Sequence, residues 1–131
     1  MTLYLLDTHI LLWAAGLPER LPDGARALIE DPRNLLAFSA ASVWEVAIKA
    51  GLGRADFVVD PRRLRRGLLD AGYREIAVTS EHAAALTRLP PLHKDPFDRM
   101  LVAQAQTEGA VLVTADPLVA RYGEGIRLVQ T

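Results

Sequence analysis

The chain has 131 residues, no cysteine, a formal charge of −1 and an apolar fraction of 50%. That length supports one domain with a core of its own, and the absence of cysteine excludes a disulfide scaffold or thiolate metal site while suiting a reducing cytoplasm. Near-neutral charge excludes the global basic field that holds many nucleic-acid binders to phosphate, so any such contact must be local or carried by metal.

Leu3–Leu6 is a short apolar run that reads as a buried strand. With Met1-Thr2 ahead of it and Asp7 directly after, it is not a signal peptide. No stretch of the chain reaches the ~18 apolar residues of a membrane span. His9–Ala15 is predicted helical, closed by Gly16 and Pro18, and Ala25–Glu30 forms a second helix opened by Asp23 or Gly24. Leu35–Phe38 is a strand, Ser39–Ala50 a helix ended by Gly51 and Gly53, and Arg62–Ala71 a helix begun by Pro61 and closed by Gly72. Glu75–Val78 is a strand and Ser80–Leu89 a helix, with Pro90-Pro91 breaking it. Asp95-Pro96 opens the helix Phe97–Thr107; Ala110–Val113, Pro117–Tyr122 and Arg127–Val129 follow as strand, short helix and strand. This alternation indicates a single α/β domain over residues 1–131 with a mainly parallel sheet.

In such a fold strand C-termini and helix N-termini share one edge, where ligands bind. Asp7 and Asp116 end strands; Glu45 and Asp98 lie early in helices. All four are therefore predicted at that edge. Two carboxylates about 4 Å apart at an effective dielectric near 20 repel by roughly 4 kcal/mol. A cluster of four accordingly needs a divalent cation or raised pKa values to persist. Each acid also has a capping reading. Ser42-Val43-Trp44-Glu45 has the form of a capping box, Asp95-Pro96-Phe97-Asp98 of an N-cap, an N1 proline and a first-turn acid, Asp116-Pro117 repeats that pattern, and Asp7 stands before Thr8. Asp7 is the hardest to explain by capping alone, because apolar runs flank it on both sides.

Leu5-Leu6-Asp7-Thr8-His9 with Leu12-Trp13, Ser39 to Lys49 around Trp44-Glu45, His93 to Ala105 around Asp95-Pro96-Phe97-Asp98, and Thr114-Ala115-Asp116 resemble, in order, the four motifs of PIN-domain proteins. More specifically, the chain is similar to the toxin ribonucleases of VapBC-type toxin–antitoxin pairs. The resemblance implies a three-layer α/β/α sandwich and metal-dependent RNA cleavage with Mg²⁺ or Mn²⁺, one ion or two. It implies Asp7, Glu45, Asp98 and Asp116 as the metal-binding and catalytic set, with Asp7 and Asp98 the core ligands and Glu45 orienting or deprotonating the attacking water. Thr114 and Thr8 are candidate supporting hydrogen-bond donors. The implied partners are a cognate antitoxin, RNA and a second copy of the chain. Where some relatives carry a further acid after the fourth motif, Leu118, Val119 and Ala120 stand here, which weakens the case for a permanent second metal.

The remaining residues were weighed against plainer roles. His9, His82 and His93 lack the spacing of a helical zinc pair; His93 and Lys94 are expected as solvated loop residues or phosphate contacts. Arg99, next to Asp98, is expected to pair within the site or bind RNA. Arg62-Arg63-Leu64-Arg65-Arg66 is a basic helix face over an inner stripe of Leu64, Leu68 and Leu69, and Trp13 and Trp44 are expected in core or interface packing. Two alternatives stand beside the ribonuclease. A Mg²⁺-binding phosphoacceptor module would need a nucleophilic aspartate after Leu35–Phe38, where Ser39 stands. A catalytically silent partner-binding relative would not need all four acids.

Overall fold

A computed structural model describes residues 2–53 and 58–130. Five strands, β1 (Leu3–Leu6), β2 (Leu35–Ser39), β3 (Arg74–Ile76), β4 (Val111–Thr114) and β5 (Ile126–Leu128), form a wholly parallel sheet in the order β3-β2-β1-β4-β5. Seven helices connect them among the described residues: α1 (Thr8–Gly16), α2 (Asp23–Glu30), α3 (Ala40–Gly51), α4 (Pro61–Asp70), α5 (Ser80–Ala85), α6 (Pro96–Glu108) and α7 (Pro117–Ala120). None is long and apolar enough to cross a membrane.

The central strands are apolar up to their last residues, Ser39 in β2 and Thr114 in β4, because both faces are covered. Alternation along each strand sorts its side chains between two cores. Leu6, Phe38 and Val113 pack with Ile10, Leu28, Val46 and Leu64 from α1–α4, whereas Leu5, Ala37 and Leu112 pack with Ala85, Leu101, Ala105 and Val119 from α5–α7. The result is the expected sandwich, with helices on either side of the sheet.

Element boundaries depart from the sequence reading by a residue or two, with two instructive exceptions. The helix expected over 80–89 ends at Ala85 and tightens into a 3₁₀ turn, Leu86–Arg88, because Leu89 must be extended ahead of Pro90. On α4, Leu64 and Leu68 are buried but Leu69 is exposed; one residue further round the helix carries it off the inner face.

β1 is central. From it the chain runs outward through β2 to β3, then crosses back to β4 on the other side of β1. The crevice at the carboxyl ends of β1 and β4 is thus the point where strand order reverses, the usual ligand position in an open α/β sheet.

Candidate active site

Asp7 leaves β1 and caps α1, its Oδ1 accepting the Ile10 N–H at 3.0 Å. Its other oxygen accepts a hydrogen bond from the Thr114 hydroxyl at the end of β4, and that hydroxyl also accepts the Asp116 N–H at 3.0 Å. One threonine therefore ties the two strand-end acids together across the crevice. Asp116 caps α7, with Oδ1 accepting from Leu118 N at 2.9 Å. Asp98 enters in the first turn of α6, whose cap is Asp95: Asp95 Oδ1 accepts from Phe97 N at 2.8 Å and Asp98 N at 3.2 Å. Glu45 comes from α3. It lies beyond the first turn, and its Oε2 accepts from Lys49 Nζ at 2.9 Å. Asp7 and Glu45 are each only 5% exposed.

The charges act on one another. Burial, reinforced by the carboxylates of Asp95, Asp7 and Glu45, pushes Asp98 up to about 7. Burial likewise raises Asp7, against the hydrogen bonds from Thr114 and Ile10 and the charge of His9, while Asp116 adds to the rise. Asp116 behaves otherwise: burial pulls it upward, but hydrogen bonds from His93 and Leu118 leave it lowered. The four acids thus form one electrostatic unit, though the capping readings of Asp7, Asp95 and Asp116 are also realised. Cap and cluster are not alternatives here. The same strand-end position serves both.

Three sequence expectations need correcting. Ser42–Glu45 is not a capping box: the cap of α3 is Ser39, which accepts from Ala41 N, and Ser42 instead takes the Thr8 hydroxyl at 2.9 Å. Thr8 accordingly braces α1 against α3 and donates to no acid. Arg99 points away from the acids, donating from Nη1 to the Pro90 carbonyl and Tyr122 Oη, both at 3.0 Å. Of the two roles expected for Trp44, core packing is excluded and interface packing is not: it is 63% exposed and meets Phe97 edge-on, with ring centroids 5.1 Å apart.

His93 is the residue the sequence reading missed. Its Nε2 lies 3.0 Å from Asp116 Oδ2 and 3.3 Å from Asp98 Oδ2. The available signal was its place five residues ahead of Asp98, in the loop that leads into the acidic helix start. The donor set that results suits a hard divalent cation. The carboxylates offer only oxygen, two of them are held above their ordinary range by burial with neighbouring acids adding to it, and Glu45 Oε1 is buried without a partner.

Residues 4–125 match the PIN domain family, and the chain belongs to it. It is 33% identical over 117 residues to Ribonuclease VapC22 of Mycobacterium tuberculosis, covering 88% of each chain. Among solved structures it is similar to VapBC2 of Rickettsia felis, bound to a promoter DNA fragment (TM-score 0.67, 16% identity, 97% of each chain). It also resembles VapBC-5 of Mycobacterium tuberculosis (TM-score 0.63, 18% identity, 100% of each chain) and a toxin–antitoxin complex from Klebsiella pneumoniae (TM-score 0.64, 23% identity, 95% of each chain).

Proposed function

We propose that the chain is a divalent-metal-dependent endoribonuclease and the toxin of a VapBC-type pair. The observation that carries this reading is the cluster of Asp98 and Asp116 at ligand spacing, with Asp7 and Glu45 coupled to it by charge and Thr114 linking Asp7 to Asp116, in a PIN-domain chain with a ribonuclease relative. Asp7, Asp98 and Asp116 would hold Mg²⁺ or Mn²⁺, with Glu45 beside them. A cation bound there supplies positive charge to the phosphate oxygens and makes water a better nucleophile near neutral pH. The protein's part is to keep the carboxylates ionised and aimed. Thr114 fixes Asp7, backbone N–H groups fix Asp7 and Asp116, and Asp98 gives up its proton on cation binding. Glu45 would orient or deprotonate the attacking water; its Oε1, buried and unpartnered, is the oxygen left for that role while Lys49 holds the other. The attack would leave a 5′-phosphate and a 3′-hydroxyl.

Its partners would be RNA, an antitoxin and a second copy of the chain, in the cytoplasm. Two separate apolar surfaces support more than one protein contact. One is the exposed stripe Trp44, Ile48 and Leu52 along α3; the other is a groove of about 750 Å³ beside α1 and α4, lined by Leu12, Trp13, Leu17, Val59 and Leu64.

The reading is tested in two steps. Millimolar Mg²⁺ or Mn²⁺ raises the melting temperature of the wild type and does so less for Asp7→Asn; an unchanged melting temperature in the wild type counts against a clustered site. Induced expression of the wild type arrests growth, whereas Asp98→Asn does not. Equal toxicity of the two would remove Asp98 from the chemistry.

A further inference from the structure

His93 sits where it could serve the acids in either of two ways. Its ring nitrogen and one oxygen each from Asp98 and Asp116 lie within 4.8 Å of one another, the spacing of a ligand triad. A neutral imidazole has one N–H and one lone pair, so what Nδ1 does dictates what Nε2 can do. Here Nδ1 accepts the Asp95 backbone N–H at 3.0 Å. The lone pair is therefore spent at Nδ1, and the proton is on Nε2, directed at Asp116 Oδ2 at 3.0 Å with Asp98 Oδ2 at 3.3 Å. To ligate through Nε2 the ring would have to carry its proton on Nδ1, facing the Asp95 N–H donor head-on. Turning the ring over would instead place carbon against that donor.

The ring is also anchored from behind. The His93 backbone N–H donates to Tyr122 Oη at 3.1 Å, and the same oxygen accepts from Arg99 Nη1 at 3.0 Å. Arg99 is itself pinned to the carbonyls of Pro90 and Leu86. The side chain of His93 is 14% exposed. Arg99, which makes no contact with the acids, reaches them through Tyr122 and His93.

We infer that His93 is a positioning residue: a fixed Nε2–H donor that orients Asp116, with Asp98 close at its flank, from outside the metal's own ligand shell and leaves that shell all-oxygen. The inference rests on the metal-site reading above and deepens it. Hydrogen bonds to ligating carboxylates orient them, and losing such a partner weakens metal affinity about 10–100-fold. An all-oxygen shell also favours Mg²⁺ or Mn²⁺ over the softer ions that a histidine ligand would attract.

Three measurements on the full chain test it. In the metal-free protein, long-range ¹H–¹⁵N correlation at neutral pH shows His93 as the Nε2–H tautomer, assigned by its loss in His93→Gln; an Nδ1–H tautomer or an imidazolium overturns the inference. In the Mn²⁺-loaded protein, electron spin-echo modulation shows no directly bonded nitrogen that His93→Gln removes. Finding one overturns the inference while leaving the metal site intact. Mn²⁺ affinity falls about tenfold or more in His93→Ala and is rescued to within about threefold by His93→Gln, whose amide restores an N–H donor near the same place. Equal loss in both variants at unchanged melting temperature also overturns it. Failure of the wild type to bind Mn²⁺ at all defeats the metal-site reading and, with it, the claim of a positioned metal shell, whatever tautomer the first measurement finds.

Discussion

Two histidines, His82 between α5 and α6 and His93 at the edge of the sheet, each accept a backbone N–H at Nδ1 and face a carboxylate with Nε2. For His82 the donor is Thr79 at 3.1 Å and the carboxylate Glu108 at 2.9 Å; for His93 they are Asp95 at 3.0 Å and Asp116 at 3.0 Å. The wiring is the same, but the far side of each carboxylate differs. Glu108 is partly open to solvent, and His82 is buried against Gln104 in a capping box that starts α5. Asp116 stands in the group of Asp7, Asp98 and Glu45, where burial and then the charges of Asp95, Asp7 and Glu45 push Asp98 up to about 7. A histidine that closes a polar network stabilises the fold. One that orients a carboxylate among like charges maintains an arrangement the fold alone would not favour.

The largest expected effect is on chemistry. Asp98→Asn lowers cleavage of a model RNA by on the order of a hundredfold or more, the scale of losing one electrostatic stabiliser, while Glu108→Gln stays within about twofold. Comparable losses from both variants, measured at equal folded fraction, would erase the distinction between the two regions.

Stability should move the other way. His82→Ala removes a fully buried ring, the Thr79 N–H acceptor and the Glu108 partner, and costs about 2–4 kcal/mol. His93→Ala costs less than about 1 kcal/mol, because the carboxylates it leaves behind reach water. Urea midpoints at constant slope measure both. A His93→Ala loss as large as that of His82→Ala would make His93 a structural residue like its counterpart.

The unequal legibility of these regions in the sequence has a physical cause. The apolar runs Leu3–Leu6 and Val111–Val113, bounded by Gly, Pro and Asp, report their own secondary structure, and parallel topology then carries Asp7, Asp98 and Asp116 to one edge. Local pattern failed where an interaction spans distant segments. His93 meets Asp116 across 23 residues, Thr8 meets Ser42 across 34, and Arg99 meets Tyr122 across 23. None of these pairings leaves a periodic or capping signature. Glu45 is legible from its place early in the helix that follows β2; only its alternative capping role fails, since Ser39 rather than Ser42 caps that helix.

The smallest expected effect, and the one with the most telling sign, is the pH dependence of the metal-free protein. Asp98 has its pKa raised from 3.8 to about 7 on folding, so between those values the native state binds more protons than the unfolded chain. Stability therefore falls as pH rises through that window and levels off above it, the reverse of the behaviour of a carboxylate stabilised by a salt bridge. Asp7, also raised, adds in the same sense, whereas the lowered Asp116 acts only below 3.8 and cannot mask the trend. Thermal melts without metal should give a midpoint several degrees lower at about pH 8 than at about pH 5, with much of that slope lost in Asp98→Asn and none of it in Glu108→Gln. Mg²⁺ acts oppositely, because it binds the ionised form; its stabilising increment grows as pH passes about 7. A metal-free midpoint that rises steadily over this range would mean the acids at the β1–β4 crevice do not crowd one another, and the contrast between His93 and His82 would be lost.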